Sequence, residues 1–510
     1  MTLIQELSAL QDLHGYLRED DLRSLSTRLR VPLSEVQGVI SYYPHFRRTP
    51  PPRVTVAVCR DAGCHLRGGG RVLETLQALC AARRDVELTA VSCLGRCDTA
   101  PVCTVNAVPV PADEVPRYLD EPATLPESPP ATRRRAFECD AGEPYAMLRE
   151  EIARGNADAL IDRMKDSGLR GMGGAGFPTG RKWEVVRAQP TEPKHVVCNA
   201  DESEPGSFKD RVLLEEIPHR VIEGLVLGAY AVGAHAGTVY IRHEYARERE
   251  TLRSAIRDAH ARGVLGPHVC GSDFRFELEI FVSPGGYVLG EETALLEALE
   301  GRRGEPRNKP PYPGLRGLFD RPTLVQNVET LALVPYVLRT GRADRKLFSV
   351  SGDVESPGVH EMPVGTTLRD LLARCGGVRA GRKLLAFLPG GASTGFLTAD
   401  QADVVLDWDP LRAAGSALGS GAVLVVAEGT DLMDLAVNLT AFFRNESCGK
   451  CVPCRIGTEK AVRILERKRP ADLALLPELH ETLQQTSICG LGQAALNPVV
   501  SLLERFPSLG

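Results

Sequence analysis

The chain has 510 residues, more than one hydrophobic core normally serves, so roughly three or four domains are expected. Its formal net charge is −5 and it has no basic patch with interleaved aromatic residues, which argues against general nucleic-acid binding. The N-terminus has no basic region followed by an apolar run, and no segment approaches the roughly 18 apolar residues of a membrane helix. We therefore expect a cytoplasmic protein without membrane insertion.

The first 120 residues predict a helical segment followed by a small α/β domain. Leucines recur at helical spacing within 3–13 and 22–29. Residues 54–58 and 86–91 have the composition of strands, and a helix is predicted between them. The proline-rich and charged sequence EPATLPESPPATRRR then predicts a linker over 121–137.

Three further domains are predicted after the linker. Residues 138–340 mix helical patterns (158–166, 245–262, 291–300) with strands (195–199, 237–242, 276–283). Residues 341–430 contain short strands and one helix near 366–375, and residues 431–510 are helical. The predicted fold class is thus multidomain α/β and α+β.

The cysteines are read as metal ligands, because a reducing cytosol disfavours structural disulfides. Eight of the 14 form two groups. The C-terminal group has a C-x2-C-x2-C run and a distant fourth thiolate, a pattern typical of [4Fe–4S] ligation. A zinc site is the alternative, although zinc more often takes C-x2-C pairs. The members are Cys448, Cys451, Cys454 and Cys489.

The N-terminal group presents two thiolates from each of two loops, and each loop follows a strand. This arrangement suits a [2Fe–2S] cluster with two ligands per iron. The alternative is a vestigial or zinc-holding domain. Its members are Cys59, Cys64, Cys93 and Cys97. The other six, including Cys103, are interpreted as packing residues.

The densest glycine tract lies at 168–183. Gly171, Gly173 and Gly176 satisfy G-x-G-x-x-G, but a helical pattern precedes them where the dinucleotide fingerprint needs a strand, so a Rossmann site is rejected. Backbone amides without side chains can still approach a phosphate or a flat ring, and Arg170 and Lys182 add positive charge. The alternative is a flexible loop.

The strand near 195–199 runs into a turn rich in hydrogen-bonding side chains. A solvated acidic turn is the alternative interpretation. The side chains are Asn199, Asp201, Glu202 and Glu204.

A second group of candidates lies further along the chain. Glu291 and Glu292 fall at a predicted helix N-terminus, where simple capping is the alternative role. Lys309 and Tyr312 offer a cation and an aromatic plane on a stiff proline segment, which could also be a surface turn.

Together these segments resemble the family of flavoprotein subunits found in respiratory complex I and related NAD-linked enzymes. The resemblance covers about 138–510 and rests on GLRGMGGAGFPTGRKW, CNADESEPGSFKDR, GEETALLEALEG and ESCGKCVPC…SICGLG. The region 1–120, with VCRDAGCHLRGG and CLGRCDTAP, resembles the thioredoxin-like [2Fe–2S] subunit of the same systems. Met172, Gln326 and Tyr312 depart from residues common in the family.

The resemblance implies four cofactors or reactants, namely FMN, NAD(H), a [2Fe–2S] cluster and a [4Fe–4S] cluster. It also implies a non-Rossmann FMN domain, a ubiquitin-like β-grasp domain and a C-terminal helical bundle. The implied FMN ligands are Gly171, Gly173, Gly174, Gly176, Lys182, Asn199, Asp201, Glu202, Tyr287, Gly290, Glu291, Glu292 and Asn327. The residues implied near NAD(H) are Phe177, Glu204, Lys309 and Tyr312.

The implied reaction is hydride transfer between the two cofactors, so no side chain is predicted to be catalytic, although Glu204 is a candidate for substrate positioning. The implied partners are a small [2Fe–2S] subunit and a catalytic molybdenum, tungsten or hydrogenase subunit. GGASTGFL and SICGLGQAALNP resemble the beta subunit of soluble NAD-dependent formate dehydrogenase. The alternatives are a hydrogenase diaphorase, a complex I-like dehydrogenase, a non-catalytic electron-transfer protein and a zinc-stabilised binding module.

Overall fold

The structure is a computed structural model that describes residues 1–126 and 136–509. Most of the linker predicted at 121–137 lies outside these residues. The chain divides into two compact units. Unit one comprises Met1–Pro51, Thr132–Glu202 and Asp210–Arg345, and unit two comprises Pro52–Ala131, Ser203–Lys209 and Lys346–Gly510. None of the described helices is long and apolar enough to cross a membrane.

The N-terminal 120 residues alternate helices and strands after three initial helices. The elements are α1 (Leu3–His14), α2 (Glu19–Leu29), α3 (Leu33–Tyr42), β1 (Val54–Cys59), α4 (Ala62–Leu66), α5 (Gly69–Cys80), β2 (Val86–Val91), β3 (Val102–Val105), β4 (Val108–Pro111) and α6 (Val115–Asp120).

The middle of the chain forms a helix-rich α/β region. Its elements are α7 (Ala146–Arg154), α8 (Ala157–Asp166), α9 (Thr179–Arg187), β5 (His195–Ala200), α10 (Lys209–Glu216), α11 (Pro218–Val232), β6 (Ala236–Arg242), α12 (Ala246–Ala261), β7 (Glu277–Ser283), α13 (Glu292–Leu299), β8 (Thr323–Asn327) and α14 (Val328–Thr340).

The C-terminal region passes from a small mixed sheet to helices. Its elements are β9 (Arg345–Gly352), β10 (Gly358–Pro363), α15 (Leu368–Arg374), β11 (Leu384–Leu388), β12 (Leu397–Thr398), α16 (Trp408–Ala413), β13 (Ala422–Ala427), α17 (Leu432–Asn445), α18 (Val452–Arg467), α19 (Pro470–Leu473), α20 (Leu476–Thr486), α21 (Gly490–Ala494) and α22 (Asn497–Arg505).

Unit one is built on a four-stranded parallel sheet with strand order β7-β6-β5-β8. The chain adds β6 and β7 on one side of β5 and then returns to place β8 on the other side. The order of connection therefore reverses between β5 and β8, and in open parallel sheets ligands bind beside the carboxyl ends of the strands at such a switch point. The glycine tract precedes β5 rather than following it, as expected for a site that is not a Rossmann fingerprint.

The strands of this sheet are buried because helices cover them. Helix α11 is mostly apolar and almost wholly buried, with Arg220 and Glu223 paired inside the protein, and α14 is likewise buried along most of its length. These two helices pack closely together at Gly224 of α11. An ideal Cβ at this position would lie only 1.9 Å from the Leu331 carbonyl oxygen of α14, so the approach requires glycine. Because neither helix has a broad solvent-exposed face, a search for amphipathic periodicity passes over both of them.

Unit two contains two small sheets with separate cores. The first has the order β2-β1-β3-β4, with β1 parallel to β2 and antiparallel to β3, around a core that includes Val56, Leu76 and Tyr118. The second has the order β10-β9-β13-β11-β12 and a core that includes Phe387 and Val425. Helices α17, α18 and α20 follow the second sheet.

The three N-terminal helices belong to unit one and not to the unit that holds the β1–β4 sheet. The sequence grouped them with that sheet in one predicted domain, 1–120. Their contacts with unit one involve residues near the middle of the chain. The Tyr42 hydroxyl donates to the Gly304 carbonyl, and the Tyr43 hydroxyl donates to the Arg302 carbonyl. Such long-range pairing leaves no local signal in the sequence.

We expect Gly224→Ala to destabilise the protein, because the new methyl group would collide with the α14 backbone. Overpacking of this kind costs about 1–3 kcal/mol, or roughly 2–10 °C in the thermal midpoint. Gly70→Ala in α5 is the control, since an ideal Cβ at Gly70 has no heavy atom within 4 Å. Thermal unfolding followed by circular dichroism would contradict the packing if Gly224→Ala were as stable as Gly70→Ala.

Candidate functional site

The carboxyl ends of β5 and β8 carry two asparagines side by side. Asn199 and Asn327 are register partners in the parallel pairing of these strands. They therefore lie at the switch point of the sheet, where the topology predicts a ligand. The structure brings these two predicted site residues together although 127 residues separate them in the sequence.

Each asparagine is fixed by hydrogen bonds to neighbouring loops. Asn199 Nδ2 donates to the Gly290 carbonyl (2.9 Å), and Asn199 Oδ1 accepts from the Asp201 amide (3.1 Å). Asn327 Oδ1 accepts from the Glu329 amide (3.0 Å) and so caps α14, while Asn327 Nδ2 donates to Asp210 Oδ2 (2.7 Å). The edge of the sheet is thus rigid, and one wall of it includes the turn at Tyr287–Gly290.

The glycine tract closes into a loop that lies against Asn327. Its two ends pair through the Gly171 amide and the Phe177 carbonyl (2.9 Å). An ideal Cβ at Gly173 would be 3.1 Å from Asn327 Cβ, a tighter approach than a side chain normally tolerates. Gly174 has φ 130°, a conformation that other residues rarely adopt. The glycines therefore allow bare backbone to lie at the carboxyl edge of β8, which is a cradle that fits a phosphate or a flat ring.

The carboxylate-rich turn after β5 is mostly engaged by the protein itself. Asp201 Oδ2 accepts from Ser283 Oγ (2.8 Å). Glu202 accepts from the amides of Asp210 (3.1 Å) and Arg211 (3.0 Å) at the start of α10. The solvated-turn alternative does not describe these two side chains, because both are buried. Glu202 acts as a helix cap in the structure, and its predicted contact with FMN stays a prediction.

A fixed charge pair stands near the Glu202 backbone. Arg242 Nη1 donates to the Glu202 carbonyl (2.5 Å), and Arg242 Nη2 lies 2.9 Å from Glu244 Oε1. Burial alone would raise the pKa of Glu244, but Arg242 and then His243 outweigh it and lower that pKa to about 2. Glu244 therefore remains ionised, and this pair holds the end of β6 close to the turn after β5.

The predicted residues around α13 form two ion pairs. Glu291 caps α13 by accepting from the Thr293 and Ala294 amides (both 2.9 Å), and it also binds Lys309 Nζ (2.7 Å). Glu292 binds Lys182 Nζ (3.1 Å), and that ammonium group also donates to the Val325 carbonyl of β8 (3.0 Å). The capping alternative and the functional prediction for Glu291 are thus compatible in one side chain.

Three of the predicted residues lie elsewhere or face solvent. Phe177 and Tyr312 are 50% and 57% exposed, which leaves both aromatic faces available to a ligand. Glu204 belongs to unit two, where its Oε1 accepts from the Ser393 amide (2.7 Å).

Sequence reasoning did not single out three residues that complete the edge in unit one. Ser283 ends β7 and binds Asp201, Asp210 binds Asn327, and Thr330 Oγ1 accepts from the Met172 amide (2.8 Å). Ser283 could have been found by asking which side chains end the parallel strands. Asp210 and Thr330 carry no such local signal.

The four N-terminal cysteines converge in unit two. Cys59 ends β1, Cys64 lies in α4, and Cys93 and Cys97 follow β2, and all four are buried. The Cys64 and Cys93 thiols, and then burial, raise the pKa of the Cys59 thiol. Cys93 Sγ and Cys97 Sγ are 3.6 Å apart, close to the ~3.8 Å expected for two thiolates about 2.3 Å from one tetrahedral metal.

The C-terminal cysteines also come together in unit two. Cys451 precedes α18, Cys454 lies in its first turn, and Cys489 precedes α21. Burial, and after it the nearby Cys451, Cys489 and Cys448 thiols, raises the pKa of the Cys454 thiol to about 12, although a hydrogen bond from Ser447 opposes the shift. A buried thiol of this kind needs a metal or cluster to become a thiolate at neutral pH.

Each cysteine group offers four thiolates, which is the ligand set that iron–sulfur clusters take. Among residues 1–126 and 136–509, no group of three or more His, Cys, Asp or Glu side chains is arranged to hold one metal ion. A cluster with bridging sulfide shares its thiolates among several irons, so it does not need all four sulfurs around one point.

Four known families match successive parts of the chain. Residues 1–116 match the thioredoxin-like [2Fe-2S] ferredoxin, and residues 164–336 match the Nuo51 FMN-binding domain. Residues 347–397 match the SLBB domain, and residues 434–509 match the NADH-ubiquinone oxidoreductase-F iron-sulfur binding region. Both predicted cluster types and the flavin are confirmed by these matches.

Relatives that align with two thirds or more of this chain support the same family assignment. The chain is 43% identical over 384 residues to an F-type subunit of NADH-quinone oxidoreductase from Rhizobium meliloti (strain 1021), which spans 72% of this chain and 91% of that protein. It is 41% identical to NADP-reducing hydrogenase subunit HndC of Solidesulfovibrio fructosivorans, over 68% of this chain and 74% of that protein. A chain in the crystal structure of NAD+-reducing [NiFe]-hydrogenase in the H2-reduced state superposes with a TM-score of 0.89 at 32% identity, covering 100% of this chain and 93% of that chain. The protein therefore belongs to the family of F-type subunits of NADH-quinone oxidoreductase, as an oxidoreductase component that uses NADH, FMN, a [2Fe–2S] cluster and a [4Fe–4S] cluster.

Proposed function

We propose that FMN binds at the carboxyl edge of β5 and β8 in unit one. The observation that carries this proposal is the pairing of Asn199 with Asn327 at the switch point, with the bare glycine backbone of Gly173 against Asn327. The glycine loop supplies amides for the phosphate or ring, and Asn199 and Asp201 supply polar groups at the ring edge.

The side chains position the cofactor and carry out no bond-making step. FMN, when bound, exchanges two electrons with NAD(H) and one electron at a time with iron–sulfur clusters. Asn199 holds the turn at Gly290, and Asn327 holds the start of α14, so hydrogen bonds fix both walls of the proposed pocket before a ligand enters. Pre-organisation of this kind lowers the cost of binding.

We infer that NAD(H) binds beside the same edge, near Phe177, Lys309 and Tyr312. The two exposed aromatic faces can stack on flat rings, and Lys309 offers a cation that is already held by Glu291. Glu204 lies in unit two, where the Ser393 amide anchors its carboxylate, and its role in substrate positioning stays a prediction.

We propose that the chain serves a larger enzyme as the beta subunit of a soluble molybdenum- or tungsten-dependent formate dehydrogenase, alongside a small [2Fe–2S] subunit. Electrons from the catalytic subunit would reach NAD+ through the C-terminal cluster held by Cys448, Cys451, Cys454 and Cys489. The sequence motifs GGASTGFL and SICGLGQAALNP, which resemble those of the formate dehydrogenase beta subunit, support this choice of parent enzyme.

A second candidate is the diaphorase subunit of an NAD-reducing hydrogenase. The likeness over the full length of the chain to the hydrogenase structure favours this candidate. The two candidates differ in the subunit that supplies electrons.

Gly173→Ala is expected to weaken FMN binding, because its methyl group would push the loop away from Asn327. A displacement that costs about 1–3 kcal/mol raises the dissociation constant of FMN roughly 5–150-fold. Fluorescence titration of the flavin-depleted protein measures this constant. Iron and sulfide content should stay unchanged and serves as the internal control, and unaltered FMN affinity would argue against the proposed pocket.

Cys489→Ser should remove the [4Fe–4S] EPR signal and leave the [2Fe–2S] signal, and Cys64→Ser should do the reverse. A serine oxygen replaces a soft thiolate poorly in such clusters. Cys270→Ser is the matched control, because Cys270 is only partly buried and belongs to neither group. Retention of both signals in the first two variants would refute the ligand assignment.

The complex purified with its native partners should reduce NAD+ when given formate. Formate and H2 are supplied separately, and NADH is followed by its absorbance. Formate-driven reduction supports the formate dehydrogenase proposal. Reduction by H2 with no formate activity would replace it with the hydrogenase candidate.

A further inference from the structure

The first 51 residues, here called the N-terminal helical segment, contact a turn in the middle of unit one. Tyr42 Oη donates to the Gly304 carbonyl (2.9 Å), and Tyr43 Oη donates to the Arg302 carbonyl (2.7 Å). In the opposite direction, Arg303 Nε donates to the Gly38 carbonyl of α3 (2.8 Å). Three hydrogen bonds therefore fasten the turn at 301–305 to α3 and the residue that follows it.

The turn is also wedged by close packing. Tyr43 is 1% exposed. An ideal Cβ at Gly304 would lie 2.1 Å from Leu289 Cδ2 and 3.3 Å from Tyr43 Oη, and one at Gly301 would lie 3.0 Å from the Leu3 amide nitrogen. The turn at 301–305 is thus held between the N-terminal helical segment and the Tyr287–Gly290 turn that Asn199 binds.

This turn joins α13 to the proline segment that bears Lys309 and Tyr312. Arg302 and Arg307 both form ion pairs with Glu297 of α13 and with Glu300. Arg307 Nη1 also donates to the Gly317 carbonyl (2.9 Å). Ion pairs and a hydrogen bond therefore stabilise the segment between α13 and Lys309. The hydrogen bonds from α3 and Tyr43 stabilise the same segment from the N-terminal side of the chain.

A separate contact of the N-terminal helical segment supports Gly285, which lies two residues before Tyr287. The ring centroids of His45 and His243 are 4.5 Å apart. An ideal Cβ at Gly285 would be 2.6 Å from His243 Cε1, so His243 in turn lies directly against that glycine. The N-terminal helical segment therefore reaches both loops that flank the proposed nucleotide site, by two independent routes.

We propose that the N-terminal helical segment is a positioning element of the NAD(H) site, and that Tyr43 is its central residue. Its hydroxyl holds the 301–305 turn so that Lys309 and Tyr312 are presented to the dinucleotide. This inference rests on the proposed NAD(H) site. It assigns to the first helices a role in nucleotide binding and not in the ferredoxin-like domain that follows them in the sequence.

The test compares Tyr43→Phe with Tyr145→Phe in the full-length holoenzyme. Both substitutions remove one buried hydroxyl, since Tyr145 is 0% exposed and its hydroxyl lies 2.8 Å from His219 Nδ1 in the same unit. Loss of the Tyr43 hydrogen bond should raise the KM for NADH about fivefold with kcat nearly unchanged, using ferricyanide as electron acceptor. Amide hydrogen exchange over 301–312 should become faster in Tyr43→Phe and stay unchanged in Tyr145→Phe.

The outcomes separate this inference from a merely structural role. A higher KM and faster exchange confined to Tyr43→Phe support the inference. Equal KM values for wild type and Tyr43→Phe, or equal increases in both variants, overturn it. If the wild-type protein retains flavin but does not oxidise NADH, the proposed function itself fails, and that result is visible before either variant is compared.

Discussion

The pairing of Asn199 with Asn327 at the end of two parallel strands is the constraint on which the proposed site depends. Parallel neighbours end at the same edge, so the register of β5 and β8 decides which side chains face the crevice. Each asparagine then satisfies backbone groups of a loop on its own side, the Gly290 turn for Asn199 and the first turn of α14 for Asn327. A shift of β8 by one residue in this register would turn the Asn327 amide to the face opposite Asn199.

The sequence predicted the parts of the protein whose chemistry is local. Cysteine spacing predicted both cluster types, which the family matches confirmed, because the ligands of such a cluster recur at short intervals; the ligand residues stay a prediction. Three strands of the parallel sheet, β5, β6 and β7, and the helices near 158–166, 245–262 and 291–300 were confirmed within one or two residues. The family resemblance extended these predictions to the flavin, and the matches to known families confirmed it.

The parts that escaped prediction depend on distant contacts or lack a periodic signal. Helices α11 and α14 are buried along most of their length, so they have no broad solvent-exposed face to mark their period. The capping of α10 by Glu202, which accepts from two amides of that helix, was not predicted, and its contact with FMN stays a prediction. Tyr43 and Arg302 are 259 residues apart, and nothing near either residue indicates their hydrogen bond. The ordering of the chain into two units is likewise a result of such contacts.

The two parts of the N-terminal region belong to different compact units. Its helices lie in unit one against loops that flank the proposed nucleotide site, while its four-cysteine sheet domain lies in unit two with the C-terminal cysteines. Under the proposals made above, the first segment serves nucleotide binding and the second serves electron transfer.

Amide hydrogen exchange of the flavin-depleted protein with and without FMN tests the proposed flavin site most directly. A ligand at the switch point should slow exchange in the glycine loop at 171–177 and in the segments at 199–202, 287–291 and 327–330. Protection confined to other segments, or none at all in protein that binds FMN, would contradict the central claim that the edge of β5 and β8 holds the flavin.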